Sequence, residues 1–254
     1  MNQTRPSIAV SCGGGGAYAF GFCLGVAHGL RNEGVDISVG PLNGTSGGSH
    51  AAVAIAAKLE FDEVAPIWRD YVESAGRFWV RAAPLAESLY GSLDVANVGG
   101  VAVRMLTFRR RVLWAGEHRP ADIVAASSSP FPFVRPHKVD GKRYIDGGHR
   151  SAFSADLAHS ADVQLVLAPL SDRRQGLLGK IGARQVAKES RKWNAATGGD
   201  PIVVGPSDAM CAIKLKGMRD MGDIEIGRQV YDLAIPIGRD LAARLIRDST
   251  DRFG

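Results

Sequence analysis

Gly44-Thr45-Ser46-Gly47-Gly48 sets one hydroxyl inside a tight glycine frame. Ahead of it, residues 36–42 form a short β-compatible segment containing Pro41, and behind it residues 51–57 are strong helix formers. The stretch reads strand, tight turn, helix. Gly44 and Gly48 let the backbone turn sharply and leave the Ser46 hydroxyl exposed above the helix N-terminus, which is the logic of a nucleophile elbow. A serine so placed can attack an ester carbonyl. The same residues also suit a simpler part, with Thr45 or Ser46 capping the helix through a side-chain oxygen.

A serine hydroxyl is a weak nucleophile at neutral pH, so it requires a base within hydrogen-bond reach and donors for the oxyanion on the acyl carbon. The run Gly13 to Gly16 offers backbone N–H groups unobstructed by side chains at the start of a second helix. For the base, the six histidines are His28, His50, His118, His137, His149 and His159. None follows His159, where the usual hydrolase order would place one. Asp146, directly after a short strand and before Gly147 and Gly148, is the better candidate; an ionised carboxylate accepts a serine proton in a water-poor site. Asp-Gly-Gly is also a common surface turn. His149 is a second choice for the base, and His50 is expected to pack or cap.

The elements that would position these groups follow from periodicity. Residues 7–12 read as a first strand, the four glycines as a loop, and residues 17–30 as a helix with Phe20, Leu24, Ala27 and Leu30 at helical spacing. The second unit runs from Ile37 through Ser46 to about Leu59. Two successive strand-to-helix loops thus hold the densest glycine clusters, and in an open parallel sheet such loops share one edge, where ligands bind. Residues 61–76 predict an amphipathic helix. Residues 78–93, apolar and aromatic but broken by Pro84 and Gly91, suit either core packing or an interfacial lid. A helix is expected over 94–106, leading into Arg109, Arg110 and Arg111, and another over 121–128. Asp140-Gly141 between 134–139 and 142–145 is a strong hairpin signal. Strands over 163–168 and 202–204, a basic helix over 181–196 and one or two helices over 224–247 divided near Pro236 complete the chain. This alternation predicts an α/β sandwich with a mainly parallel sheet.

Length and composition fit one domain, residues 1–254, with 45% hydrophobic and 22% charged residues. No window approaches the roughly 20 apolar residues of a bilayer span, and residues 1–7 lack a signal-peptide core, so a cytoplasmic location is expected. Cys12, Cys23 and Cys211 suit neither a zinc site nor a disulfide framework and are expected as buried thiols. No metal or organic cofactor is implied. The net charge is +5 and the pI about 9.3. The basic excess gathers at Arg104, Arg109–Arg111, Arg119, Arg135, Lys138, Lys142, Arg143 and Arg150, which suits either a solvated face or contact with an anionic membrane surface. Nucleic acid is not expected, since no aromatic platform or helix-turn-helix signature accompanies the charge.

Three ordered motifs resemble those of the patatin-like phospholipases: the glycine loop continuing as Gly16-Ala17-Tyr18 with Gly21, the Ser46 elbow, and Asp146-Gly147-Gly148. Residues 126–133 and Tyr144-Ile145-Asp146 are similar to that family's approach to its aspartate, so the resemblance spans roughly residues 8–157. It implies a three-layer α/β sandwich and a lipid acyl hydrolase with a Ser-Asp dyad. Ser46 would be the nucleophile, Asp146 the general base, and the backbone of Gly13, Gly14 and Gly15 the oxyanion hole. The substrate would be a lipid or other acyl ester. One departure stands out: family members usually carry an arginine or lysine after the glycines, and here the loop is shortened and has none; Arg135, Arg143 or Arg150 are the substitutes at hand. Three other readings remain at this level. One is a fold relative that binds lipid without catalysis. Another is a triad esterase using His149 or His159. The third is a dinucleotide-binding unit, from Gly14-x-Gly16-x-x-Ala19 followed by Asp36 as the ribose-binding acid.

Overall fold

The structure is a computed structural model that describes residues 7–75, 82–159 and 161–253. Strand β1 (Ile8–Cys12) lies between β2 (Leu42–Thr45) and β7 (Val163–Leu167), with β3 (Val98–Arg104) beyond β2 and β8 (Ile202–Val204) beyond β7, all parallel. Strand β4 (Arg109–Trp114) and the hairpin β5 (His137–Val139) and β6 (Lys142–Asp146) add antiparallel strands around β3. Alternation along the strands separates two faces. Val10, Cys12, Leu165 and Leu167 join the main core with helices α1 (Gly16–Asn32), α2 (Gly47–Ala56) and α9 (Ile224–Phe253). Val166 and Ala168 face the other way, against Phe153, Ala155 and, from helix α6 (Gly176–Thr197), Val186. The fold is mixed α/β, a mostly parallel central sheet with helices on both faces, as the alternation predicts.

Several elements differ from expectation. Residues 36–40 are irregular, with a turn over 38–40, rather than a strand, and β2 begins only after Pro41, so Gly44 and Thr45 are the strand's end. Residues 98–104, expected within a helix, form β3; its β-branched valines and paired glycines are buried on both faces, where a sheet interior overrides helical spacing. Helix α6 begins at Gly176, earlier than expected. Helix α9 continues unbroken through Pro236. Its backbone runs against Gly21, Gly25 and Gly29 of the buried helix α1, and this contact continues on both sides of the proline. Helix α3 (Phe61–Ala75) forms as expected up to residue 75; residue 76 of that helix and residues 78–81 of the expected lid lie outside the described residues. The remainder of that segment is helix α4 (Ala82–Tyr90), which buries Leu85, Ala86, Leu89 and Tyr90 in the core. The three cysteines are free and buried.

The register around β3 brings two distant strand ends together. Strand β4 pairs with β3 from Gly99 to Arg104 along one side. The other side is shared end to end by two strands: β2 pairs over Val98–Val101 and β6 over Ala102–Arg104. Thr45 opposes Val101 and Asp146 opposes Ala102, so the C-terminal ends of β2 and β6 meet head-on. The arginine run lies on β4, where Arg109 and Arg111 are exposed while Arg110 turns inward to a two-pronged pair with Asp156 at 2.8 Å and to Glu189 at 3.2 Å. Breaking such a largely buried pair leaves an uncompensated charge, so Asp156→Ala is expected to cost about 2 kcal/mol in urea unfolding, the retained Glu189 limiting the loss. A cost no larger than that of an exposed surface pair would contradict this packing role.

Candidate active site

Ser46 leaves the end of β2 with φ 53° and ψ −124°, a conformation that a non-glycine residue holds only when its surroundings enforce it. Ser127, at the end of helix α5 (Pro120–Ser127), accepts the Ser46 N–H at 3.0 Å and donates to the Val101 carbonyl at 2.8 Å. The Ser46 carbonyl accepts from both the N–H and the hydroxyl of Ser49, at 2.8 and 2.7 Å. Neither Gly44 nor Gly48 has room for a side chain, because a Cβ at Gly44 would overlap the Gly48 carbonyl and one at Gly48 the Cys12 carbonyl. The Ser46 side chain makes no helix-capping hydrogen bond. Ser49 and Ser127 brace the turn, roles that sequence reasoning missed although Ser127 lies in the segment singled out beside the aspartate.

Asp146 ends β6, buried, with its N–H donating to the Ser129 carbonyl at 2.9 Å. Its carboxylate accepts the Gly148 N–H at 2.7 Å, and the register of β2 and β6 on β3 sets the residue beside Ser46. Burial pushes the carboxyl up to about 6, while the bonds from Ser46 and Gly148 and the nearby His149 pull the other way. The carboxylate is therefore mostly ionised at neutral pH. Gly147 passes so close to the Val101 carbonyl and the Thr45 methyl that no side chain fits there, which is how the two strand ends abut.

The imidazoles pack on or pair with other side chains. His149 is exposed against Phe108, His159 packs on Trp114, His137 bonds Asp122, His118 lies by Asp140 and His28 bonds Tyr231. His50 is buried against Trp68 and Tyr90, and burial lowers it to about 3, so it packs as a neutral ring.

The glycine loop requires a correction. The Gly13 N–H is taken by the Leu167 carbonyl at 2.8 Å and the Gly14 N–H by the Ala152 carbonyl at 2.7 Å, so neither is a free donor. These two bonds tie the loop down to β7 and to the segment after Asp146. Gly15 follows with φ 144° as the N-cap of α1, and Gly16 opens that helix with φ 64°. Gly16 also packs directly on Gly47, the first residue of α2, so the N-termini of α1 and α2 converge beside Ser46. Gly14 is close enough that its Cβ would lie 3.4 Å from that of Ser46. Helix N-termini carry unpaired N–H groups and a positive dipole end, and the amides of Gly15, Gly16 and Gly47 are the ones so placed. Beyond Gly15, Leu170 leads into a cleft of about 350 Å³ lined by Leu177, Leu178, Ile213 and Leu215 together with Arg174, Gln175 and Lys214.

Asp36 corrects the dinucleotide reading. A ribose-binding acid belongs at the C-terminal edge of the sheet, with the glycine loop. Here β2 has not yet begun at Asp36, which lies at the opposite edge, caps the Ser38 N–H at 2.9 Å and pairs with Lys58 at 2.9 Å. Of the arginines considered as substitutes for the missing cation, Arg135 and Arg143 are exposed on the hairpin segment and Arg150 lies over the Phe108 ring at 5.5 Å. Among the described residues no cluster of His, Cys, Asp and Glu is placed to hold a metal ion, and no helix is long and apolar enough to cross a membrane.

No protein-family model and no curated protein matches the chain. Among solved structures, VipD from Legionella pneumophila is similar with a TM-score of 0.42 and 10% identity, over 92% of this chain and 66% of that one. The chain thus spans about two thirds of the length of that structure.

The buried carboxylate makes a stability prediction. A carboxyl whose native pKa, about 6, stands above its unfolded value of 3.8 binds its proton more tightly when folded. Its contribution to stability is fully present below 3.8 and is lost as pH rises through about 6, an ionisation cost on the order of 3 kcal/mol at most. Asp146→Asn is expected to melt higher than wild type at pH 8, with the gap closing by pH 4. A variant that melts lower at pH 8 would show that the carboxylate stabilises the fold.

Proposed function

We propose that this chain is a serine acyl hydrolase acting on carboxylic esters of lipids. The observation that carries the reading is the meeting of Ser46 and the buried Asp146 at the head-on junction of β2 and β6. Ser46 gives its proton to Asp146 as its oxygen attacks the acyl carbon. The oxyanion forms against the amides of Gly15, Gly16 and Gly47, each donor of this kind supplying about 3 kcal/mol of transition-state stabilisation. Protonated Asp146 then passes its proton to the leaving alcohol, and an acyl-enzyme remains on Ser46. In the second half the same carboxylate takes a proton from water, whose oxygen attacks the acyl carbon; as the bond from that carbon to the Ser46 oxygen breaks, Asp146 passes the proton to the serine oxygen and the free acid leaves. The aliphatic side chains of the cleft reached through Leu170 suit the acyl chain, and the partly exposed elbow admits an ester.

Two measurements test this reading. A fluorophosphonate probe is expected to label wild type and not Ser46→Ala, and hydrolysis of p-nitrophenyl acyl esters should fall to background in both Ser46→Ala and Asp146→Asn while His149→Ala keeps most of its activity. Equal hydrolysis by wild type and Ser46→Ala would defeat it. Because the base form of Asp146 is required, kcat/KM should rise with pH through an acid limb near 6, the value to which burial brings the carboxyl. An acid limb near 4 would mean that the carboxylate works in a wetter site than this one.

A further inference from the structure

We infer that the edge of the sheet bearing Ser46 docks on an anionic lipid bilayer, a step that deepens the hydrolase reading by naming where its ester is met. Eight of the twelve exposed large hydrophobic side chains among the described residues lie at this edge, on two loops and the first turns of α6. The β3–β4 turn projects beyond Thr45 and Asp146, because β3 continues past Val101 to Arg104. It presents Met105, Leu106 at 87% exposure and Phe108. Phe108 holds φ 52°, where a bulky residue is disfavoured and glycine or asparagine would be cheaper, yet it stands half in solvent with its ring near His149. Past Ser129, whose carbonyl anchors Asp146, come Phe131 and Phe133, the latter 65% exposed. At the start of α6, beside the Leu170 that touches Gly15, Leu177 is 73% exposed and Leu178 and Ile181 accompany it.

Charge selects the partner. Residues 104–111, 135–150 and 173–184, which carry or flank these tips, hold thirteen of the 31 Lys and Arg but two of the 26 Asp and Glu. That is a local excess of eleven positive charges, against a deficit of six over the remainder of the chain. Arg110 and Arg174 are held by carboxylates, while Arg109, Arg111, Lys142 and Arg143 stand exposed around the tips. Apolar tips ringed by cations match an acyl boundary beneath anionic headgroups, whereas a nucleic acid offers no phase for Leu106 or Leu177 to enter.

Co-sedimentation of Ser46→Ala with vesicles reads docking without lipid turnover, so its result stands whether or not the chain is an esterase. Binding to vesicles with about a third phosphatidylglycerol is expected to exceed binding to pure phosphatidylcholine at least tenfold and to weaken with salt. Adding Arg109→Glu and Arg111→Glu should remove that preference by about tenfold or more. Adding Leu106→Ser and Phe133→Ser should weaken binding comparably, with thermal melting unchanged and, in the wild-type background, hydrolysis of a soluble p-nitrophenyl ester unchanged. Equal binding to both vesicle types overturns the inference. So does full retention of binding by the Leu106→Ser, Phe133→Ser protein, which would mark a purely ionic surface of the kind that nucleic acid uses.

Discussion

Everything at the site depends on β3 serving two strands along one side. With β4 occupying the opposite side, β2 and β6 must share what remains, and their C-terminal ends abut between Val101 and Ala102. Two chains cannot continue through each other, so both turn away at the junction. The first residue after β2 is Ser46 and the last residue of β6 is Asp146. Residues a hundred positions apart thus meet through backbone register, and glycines at 44, 48 and 147 keep the junction free of side chains. Because a one-residue slip in either pairing would turn these side chains to the other face, the arrangement is rigidly specified.

Electrostatics follows from that packing. Burial makes the ionised carboxylate expensive, and the protein offsets part of the cost with the Gly148 amide and the Ser46 hydroxyl. The converging N-termini of α1 and α2 supply a positive field on the side of Ser46 next to the glycine loop. A carboxylate raised toward neutrality beside a strained serine is unfavourable for folding and useful for proton transfer. Such conflict between local stability and chemistry is expected at functional sites.

Much of this was legible in the residues. The glycine clusters, the Asp140-Gly141 turn with both residues at positive φ, and the strand before Asp146 are local signals, and the structure has them at the positions their residue types indicate. Strand β3 was not legible, because Val98-Gly-Gly-Val-Ala-Val is apolar throughout and a strand buried on both faces has no alternation to read. The start of β2 was displaced because Asp36 and Ile37 look extended, while β1 finds its partners only from Leu42 onward. The choice among the four glycine amides was equally hidden. Gly13 and Gly14 are spent on Leu167 and Ala152, long-range partners that no local pattern reveals.

The most direct measurement is a crystal structure of the protein with a phosphonate ester bonded to Ser46. The phosphoryl oxygen is expected within hydrogen-bonding distance of the amides of Gly15, Gly16 and Gly47, with the Asp146 carboxylate beside the modified oxygen. An adduct whose phosphoryl oxygen points into solvent, or an Asp146 side chain turned away from Ser46, would contradict the Ser-Asp mechanism.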